Sequence, residues 1–131
     1  MIKIILDTNF LVYSAKQRVD YLREIFNLIS EKKEIIVLSS VVSELENLAA
    51  KSRKLKNRAS AELALQILKN YVKDKKIKIR ESDKKADYTI KEISKKERNV
   101  ILATADRKLK SEVKGKARIL SIKKSRHLEL V

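Results

Sequence analysis

The sequence has 131 residues, the size of one domain by the usual length prior, and 44% of them are apolar, enough for a full hydrophobic core. It contains no Pro and no Cys, and the absence of Cys excludes a disulfide framework and a Cys-based zinc site. The net charge is +15 and the pI is near 10. This balance favours a polyanionic partner, nucleic acid before an anionic membrane surface.

The sequence predicts neither a membrane span nor a secretory leader. The first apolar run, Ile2–Leu6, is interrupted by Lys3 and followed by Asp7, which is far short of the apolar core of a signal peptide. No stretch approaches the roughly 18 apolar residues of a transmembrane helix. A cytoplasmic location fits these features. The abundance of Lys, Ile and Glu without Cys also resembles the composition of hyperthermophile proteins.

Short buried strands and amphipathic helices are predicted to alternate along residues 1–131. The predicted strands are short runs rich in apolar residues, in chain order Ile2–Leu6, Ile35–Leu38, Lys76–Arg80, Val100–Ala103 and Ala117–Ile122. The predicted helices have apolar residues at helical spacing, in chain order 21–29, 41–49, Ala59–Lys73, 86–93 and Asp106–Val113. This alternation indicates one α/β domain with a parallel sheet of about five strands between helices on both faces.

Polar residues at the helix ends predict where several of these helices start and stop. Ser39 or Ser40 is expected to cap the second helix, and Ser82 or Asp83 the fourth, because short oxygen-bearing side chains accept hydrogen bonds from the first helical N–H groups. Gly115 follows the last helix, where it can adopt the left-handed conformation that ends many helices.

Four carboxylates follow the predicted strands. Asp7 comes directly after the first strand and Asp106 almost directly after the fourth. Glu44 and Asp87 lie early in the helices that follow the second and third strands. Because the carboxyl ends of parallel strands meet at one edge of the sheet, where ligands bind, we expect these four side chains to converge there.

Each acid also has a purely structural interpretation. An Asp after a strand is often a turn or cap residue, and acids in a first helical turn interact favourably with the helix dipole. Glu44 fits this interpretation least, since Leu48 four residues later offers it no ion pair. Glu46 instead fits a capping box with Ser43, and Asp83 fits a cap better than a site residue.

A cluster of four carboxylates is costly without a counter-charge. At about 5 Å and an effective dielectric near 20, each pair repels by roughly 3 kcal/mol. Protons, basic partners or divalent cations must therefore offset the repulsion. Carboxylate ligands alone favour Mg²⁺ or Mn²⁺, one or two ions, over zinc. Such ions reverse the local charge, so an anionic phosphodiester could approach the acids. Asp7 and Asp106 would be direct ligands of the ions. Glu44 and Asp87 would be ligands, would orient water or would act as base.

Four stretches resemble, in order and spacing, the motifs of the PIN-domain family. They are ILDTNFL at 5–11, SSVVSELE at 39–46, ADYTI at 86–90 and ATADRKL at 103–109. The resemblance implies a parallel sheet between helices, an acidic metal site and endonucleolytic cleavage of RNA. It implies Asp7, Glu44, Asp87 and Asp106 as the metal-site acids, and it makes Thr8, Asn9 and Thr104 candidates to hydrogen-bond them.

Within the family the chain most resembles archaeal stand-alone PIN proteins similar to the rRNA-processing PIN nucleases, and the virulence-associated toxin nucleases are the neighbouring group. The stretch Thr104-x-Asp106-Arg107-x-Leu109 and the closing RHLEL stretch, 126–130, support the first group, which usually carries Asn where this chain has Ala105. The resemblance implies rRNA, tRNA or mRNA as substrate, allows a homodimer, and leaves an antitoxin or a ribosome-assembly factor as the protein partner.

The basic surface is expected to bind the RNA backbone. Residues 51–58 contain five cations and no acid, and a second basic group follows Asp106. The expected phosphate contacts are Lys51, Arg53, Lys54, Lys56, Arg58, Arg107, Lys108 and Lys110. The 51–58 stretch reads equally well as a solvated linker. Phe10 and Tyr13 are candidates for base stacking, with core packing favoured for Phe10, and the only histidine, His127, is expected at the surface.

Two other functions fit parts of the pattern. A non-cleaving RNA-binding or ribosome-assembly module would share the fold and the basic surface, but it has no reason to keep four mutually repelling acids. A phosphatase that forms an aspartyl-phosphate would need a second acid two residues after Asp7, where this chain has Asn9. A receiver domain would need a later acceptor Asp, but the second strand ends in Leu38-Ser39-Ser40.

Overall fold

The structure is a computed structural model that describes residues 1–131. Its strands are β1 (Ile2–Leu6), β2 (Lys33–Leu38), β3 (Lys78–Arg80), β4 (Val100–Ala103), β5 (Arg118–Ile122) and β6 (Leu128–Leu130). Its helices are α1 (Thr8–Gln17), α2 (Tyr21–Leu28), α3 (Ser39–Lys51), α4 (Leu55–Lys73), α5 (Ala86–Lys96) and α6 (Arg107–Glu112). The predicted alternation of strands and helices is confirmed. No helix is long and apolar enough to cross a bilayer.

The six strands form one sheet in the order β3-β2-β1-β4-β5-β6. Strands β1 to β5 are parallel, as predicted, whereas β6 is antiparallel to β5, so the sheet is mixed rather than wholly parallel. The sequence analysis missed β6 because its three residues are too short to show a period. The chain moves outward from β1 in one direction through β2 and β3, and then in the other through β4 and β5. Right-handed crossovers therefore place helices on both faces.

Helix α1 is the main element that the sequence analysis missed. Its apolar side chains Phe10, Leu11 and Ala15 are buried at helical spacing. The Asp7 carboxylate caps it by accepting a hydrogen bond from the Thr8 N–H at 2.9 Å. No turn residue separates β1 from α1. The sequence therefore shows no boundary between the apolar residues of the strand and those of the helix.

The caps predicted for α3 (Ser39 or Ser40) and for α5 (Ser82 or Asp83) are wrong. The capping residues are Leu38 and Lys85, and neither uses a side-chain hydrogen bond. The serines bond one another instead: the Ser82 N–H donates to Ser39 Oγ at 2.8 Å, and the hydroxyls of Ser40 and Ser82 lie 2.8 Å apart. This contact ties the loop before α5 to the first turn of α3.

A single cluster of 31 buried residues forms the core on both sides of the sheet. The central strands β1, β2 and β4 end in fully buried runs, and helices α1, α3 and α4 pack against one another. Phe10 is completely buried and meets Tyr21 edge to face at 5.9 Å, so the core assignment for Phe10 is confirmed. Gly115 is left-handed as expected, with φ +81°, but it lies two residues beyond Val113, which caps the end of α6.

Candidate functional site

The strand order reverses between β1 and β4, and the acids at the ends of these two strands meet there. Leu6 is paired with Ala103 in the sheet, and the Asp7 N–H donates to the Ala103 carbonyl at 2.9 Å. Neighbouring strands that send their connections to opposite faces leave a crevice beyond their carboxyl ends. Asp7 lies at the floor of this crevice, and Thr104 and Asp106 follow on its other side.

The crevice widens into a cavity of about 590 Å³ that contains all four predicted acids. Asp7 is buried, Glu44 and Asp106 are partly buried, and Asp87 is exposed. None of the four forms a salt bridge with Lys, Arg or His. The convergence that the sequence predicted is therefore present, and no side-chain cation of the protein neutralises it by direct pairing.

Two threonine hydroxyls donate hydrogen bonds to the carboxylates of Asp7 and Glu44. Thr104 Oγ1 donates to Asp7 Oδ2 at 2.7 Å, and it accepts from the Asp106 N–H at 3.0 Å. On the other side, Thr8 Oγ1 donates to Glu44 Oε2. Thr8 thus links the start of α1 to α3, and Thr104 links Asp7 to the loop after β4, which fixes three of the four carboxylates relative to one another.

Asn9 braces the loop that carries Asp106. Its Oδ1 accepts a hydrogen bond from the Ala105 N–H at 3.0 Å and lies 3.2 Å from Thr104 Oγ1. Asp106 itself caps α6, because its Oδ1 accepts from the N–H groups of Lys108 and Leu109. The capping interpretation is correct for this residue, but it occupies only one of the two carboxylate oxygens.

Burial raises the pKa of Asp7 from its ordinary value of 3.8 to about 6, and the nearby charges of Asp87 and Glu44 act in the same direction. The hydrogen bonds from Thr104 and Thr8 act in the opposite direction and favour the ionised form. The carboxyl at the floor of the cavity is therefore destabilised as an anion when no positive charge lies against it.

The donor set fits Mg²⁺ or Mn²⁺ in chemistry but is not a preformed ligand shell. The titratable groups in the cavity are carboxylates, one lysine and one tyrosine, with no His or Cys, which suits hard divalent cations. However, no three Asp, Glu or His side chains are arranged to hold one ion. An ion there would be bound by Asp7 and Asp106 across the β1–β4 crevice, with Glu44 and Asp87 at its rim.

None of the predicted phosphate-binding cations lines the cavity. Most of them are exposed: Lys51, Arg53, Lys54, Lys56, Arg107 and Lys108; Lys110 and Arg58 are partly buried. The 51–58 stretch is not simply a linker, because it contains the end of α3 and the start of α4, which begins four residues earlier than predicted. The Nε of Arg58 is enclosed without a hydrogen-bond partner. His127 is at the surface, as expected, with Nδ1 3.1 Å from Glu24 Oε1.

The sequence analysis did not predict five residues of the cavity wall: Val12, Lys16, Leu48, Asn57 and Ala105. Lys16 was detectable in principle. Asn9, Tyr13 and Lys16 are spaced four and three residues apart, which places them on one face of a helix that begins at Thr8. Asn57 carried no such signal, because its approach depends on how α4 packs against α1 and α3.

Comparison with known proteins agrees with the fold. The family model described as PIN like domain matches residues 4–124. The chain is 35% identical over 133 residues to Ribonuclease VapC4 of Methanocaldococcus jannaschii, covering 99% of this chain and 97% of that protein. The structure of the PIN domain endonuclease Utp24 is similar with a TM-score of 0.73 at 22% identity, covering 98% of this chain and 90% of that one. VapBC2 from Rickettsia felis, bound to a DNA fragment from its promoter, gives 0.55 at 19% identity, with coverages of 92% and 98%.

The fold and the site define an α/β domain with an acid-lined cavity at the carboxyl edge of its sheet. With the family model matching most of its length, the chain belongs to the PIN-like domain family. The family resemblance noted from the four sequence stretches is thereby confirmed.

Proposed function

We propose that residues 1–131 form a single PIN domain that acts as a Mg²⁺- or Mn²⁺-dependent endoribonuclease. The observation that carries the proposal is the cavity at the β1–β4 crevice. Four carboxylates from four separate chain segments line it, and none forms a salt bridge. Acids that repel one another at close range lower the stability of the fold, and they serve no evident purpose in packing. They are useful to a protein that binds divalent cations.

The roles of the four acids follow from their surroundings. Asp7 and Asp106 lie on either side of the β1–β4 crevice and would hold a divalent ion, which supplies charge neutralisation and Lewis-acid chemistry to the phosphodiester. Thr104 keeps both of them in place through one hydroxyl. Glu44 has one oxygen occupied by Thr8. Its second oxygen can orient an attacking water and accept its proton, and Asp87 at the exposed rim can do the same.

The relatives support RNA as the substrate. The chain matches a protein named as a ribonuclease, Ribonuclease VapC4, along almost its whole length. The likeness to Utp24 rests on 22% identity and supports the fold alone. We therefore favour a VapC-type ribonuclease over an rRNA-processing role. We also propose an antitoxin protein as its partner, because the resemblance to toxin nucleases implies one and the 35% identical relative is a VapC ribonuclease.

The charge distribution supports binding of the RNA backbone. The chain carries 32 Lys and Arg against 17 Asp and Glu, yet a single basic side chain lines the cavity itself. The cations of residues 51–58 and of α6 lie in the segments that border the cavity. They would position the strand through its phosphates, without reading sequence, while the acids and their ions act on one phosphodiester.

A cleavage assay tests the proposal. Wild-type protein is incubated with a labelled RNA in Mg²⁺, in Mn²⁺ and in EDTA, beside Asp7→Asn, Asp106→Asn and the control Asp83→Asn. Asp83 is an exposed acid that does not line the cavity. We expect cleavage only with a divalent ion, a loss of at least ~100-fold in the first two variants, and unchanged cleavage in the control.

The second candidate function is an RNA-binding module that does not cut. It is favoured by one observation, that no three acids are arranged to hold a metal ion in this structure. Tight RNA binding by the wild-type protein without metal-dependent cleavage would establish it. Wild-type turnover in the Asp7→Asn variant would instead refute the assignment of the acids.

A further inference from the structure

Helix α1 forms one wall of the acidic cavity and presents two side chains whose chemistry differs from that of the acids. Tyr13 and Lys16 both line the cavity, on the helix face that Asn9 begins. Neither side chain takes part in a hydrogen bond or salt bridge within the protein, and both are exposed. They are therefore free to contact something that occupies the cavity.

Lys16 is the one basic side chain among the twelve residues that line the cavity. Four carboxylates surround the same space, so a cation here would readily be drawn into a salt bridge, but none is formed. Lys16 thus lies along the wall, away from direct contact with the acids. An ammonium in this position can receive a phosphate that the acids repel.

Tyr13 is the one aromatic residue that lines the cavity. The nearby rings of Phe10 and Tyr21 are in the core, only 0% and 3% exposed, whereas Tyr13 is 38% exposed. Val12 and Leu48 line the same cavity and add apolar surface to its wall. An open ring with apolar neighbours is the surface on which a nucleobase stacks.

The spacing along α1 relates these two side chains to the acids. At 1.5 Å per residue, Tyr13 lies about 7 Å and Lys16 about 12 Å along the helix from Thr8, next to the buried Asp7. Tyr13 and Lys16 are three residues apart, which makes them neighbours on one face of the helix. A base on Tyr13 and a phosphate at Lys16 would thus belong to nucleotides adjoining the phosphodiester held at the acids.

We propose that Tyr13 and Lys16 form a nucleotide subsite, which takes the base and the phosphate of an unpaired nucleotide beside the scissile bond. The inference rests on the proposed function and adds two binding residues to it. A base inside a duplex is stacked on both faces and cannot lie against Tyr13, so the base that this subsite takes is unpaired. The subsite discriminates paired from unpaired RNA without reading the identity of the base.

The contribution of the base is tested by binding in the non-cleaving Asp7→Asn background. The probes are a fluorescent uridine decamer and a decamer of the same length and charge that lacks all bases. We expect Tyr13→Ala to weaken binding of the uridine decamer about tenfold and to leave the abasic decamer unaffected. Tyr13→Phe should retain the affinity. Tyr88→Ala, which removes a similarly exposed tyrosine that does not line the cavity, should change neither.

The contribution of the phosphate is tested with the same two probes and Lys16→Gln. This variant should weaken both decamers equally. It should also reduce the slope of log affinity against log salt by about 0.7, the value for one phosphate contact on a single strand. Lys69→Gln on the exposed side of α4 serves as the control for loss of one positive charge. A duplex of the same length should bind the Tyr13 variants as well as it binds the protein that keeps Tyr13.

The outcomes separate this inference from the proposed function. If the Asp7→Asn protein binds the uridine decamer but Tyr13→Ala loses no more than Tyr88→Ala, the subsite is refuted and the ribonuclease assignment stands. Equal losses on both probes for Tyr13→Ala would also refute stacking, since a structural defect does not depend on the bases. If the protein binds neither decamer, the proposed function fails as well.

Discussion

Replacing Asp7 by Asn should stabilise the metal-free protein near neutral pH, although it removes the residue at the centre of the site. Asp7 is 4% exposed, and burial together with the charges of Asp87 and Glu44 raises its pKa to about 6. At pH 7 the carboxyl is nevertheless mostly ionised, so the folded protein carries the cost of a buried and repelled charge. An amide of the same shape removes that cost.

The magnitude follows from the pKa. The interval between 3.8 and about 6 corresponds to roughly 3 kcal/mol of unfolding free energy. Part of this is lost because the amide nitrogen that replaces Oδ2 of Asp7 cannot accept the hydrogen bond that Thr104 donates, a cost of about 1 kcal/mol. Thr104 can still donate to Asn9 Oδ1, 3.2 Å away. We therefore expect a net gain of about 2 kcal/mol, or roughly 6–10 °C in melting temperature.

The sign of the pH dependence is fixed by the direction of the shift. The folded protein keeps a proton on Asp7 that the unfolded chain has released between pH 3.8 and about 6. The stability contributed by this proton is complete below pH 3.8 and is lost as the pH rises through 6. The advantage of Asp7→Asn over wild type should therefore be absent near pH 4 and fully developed near pH 7.

Guanidinium unfolding followed by circular dichroism in EDTA, at several values between pH 4 and pH 8, measures this difference. Taking wild type minus variant cancels acids that do not interact with Asp7, such as Glu97, whose pKa is lowered by its contacts with Lys3 and Arg80. Asp83→Asn should be neutral throughout. A variant less stable than wild type at pH 7, or a difference that does not change between pH 4 and pH 7, would refute the account of Asp7.

Three further expectations follow from the same site. Mg²⁺ at about 100 times its Kd should stabilise the wild-type protein by roughly 2.7 kcal/mol relative to EDTA, and it should not stabilise Asp7→Asn. Wild-type melting curves that coincide in Mg²⁺ and in EDTA would contradict metal binding at the acids. Thr104→Val, which removes the hydroxyl that holds Asp7 and Asp106, should slow cleavage at least about tenfold, whereas Thr104→Ser should remain close to wild type in the same assay. RNA affinity measured by fluorescence anisotropy should fall roughly 100-fold between 50 and 200 mM salt if about five phosphates are neutralised, and a flat response would argue against the basic surface.

The sequence by itself determined the alternation of elements and the placement of the acids. Buried apolar runs such as Ile2–Leu6 can be recognised because a strand covered on both faces is apolar at nearly every position. The parallel order of such strands then directs Asp7 and Asp106 to one edge whatever their neighbours are. These features depend on local periodicity and on a general rule of topology, and both are visible in a single sequence.

The tertiary structure decided which side chains meet in the cavity. Thr8 bonds Glu44 across 36 positions of sequence, and Thr104 bonds Asp7 across 97. Neither pairing leaves a periodic trace. The three serines expected at helix caps, Ser39, Ser40 and Ser82, bond one another because the loop before α5 packs onto α3.

The cavity wall was likewise fixed by packing. Lys16 reaches the cavity because α1 starts without a turn after β1, and Asn57 because α4 packs across α1 and α3. Contacts between distant segments depend on the angles at which helices cross, and those angles are set by the whole core rather than by any local pattern. The sequence therefore specified the acids of the site, and the packed fold specified what holds them and what lies beside them.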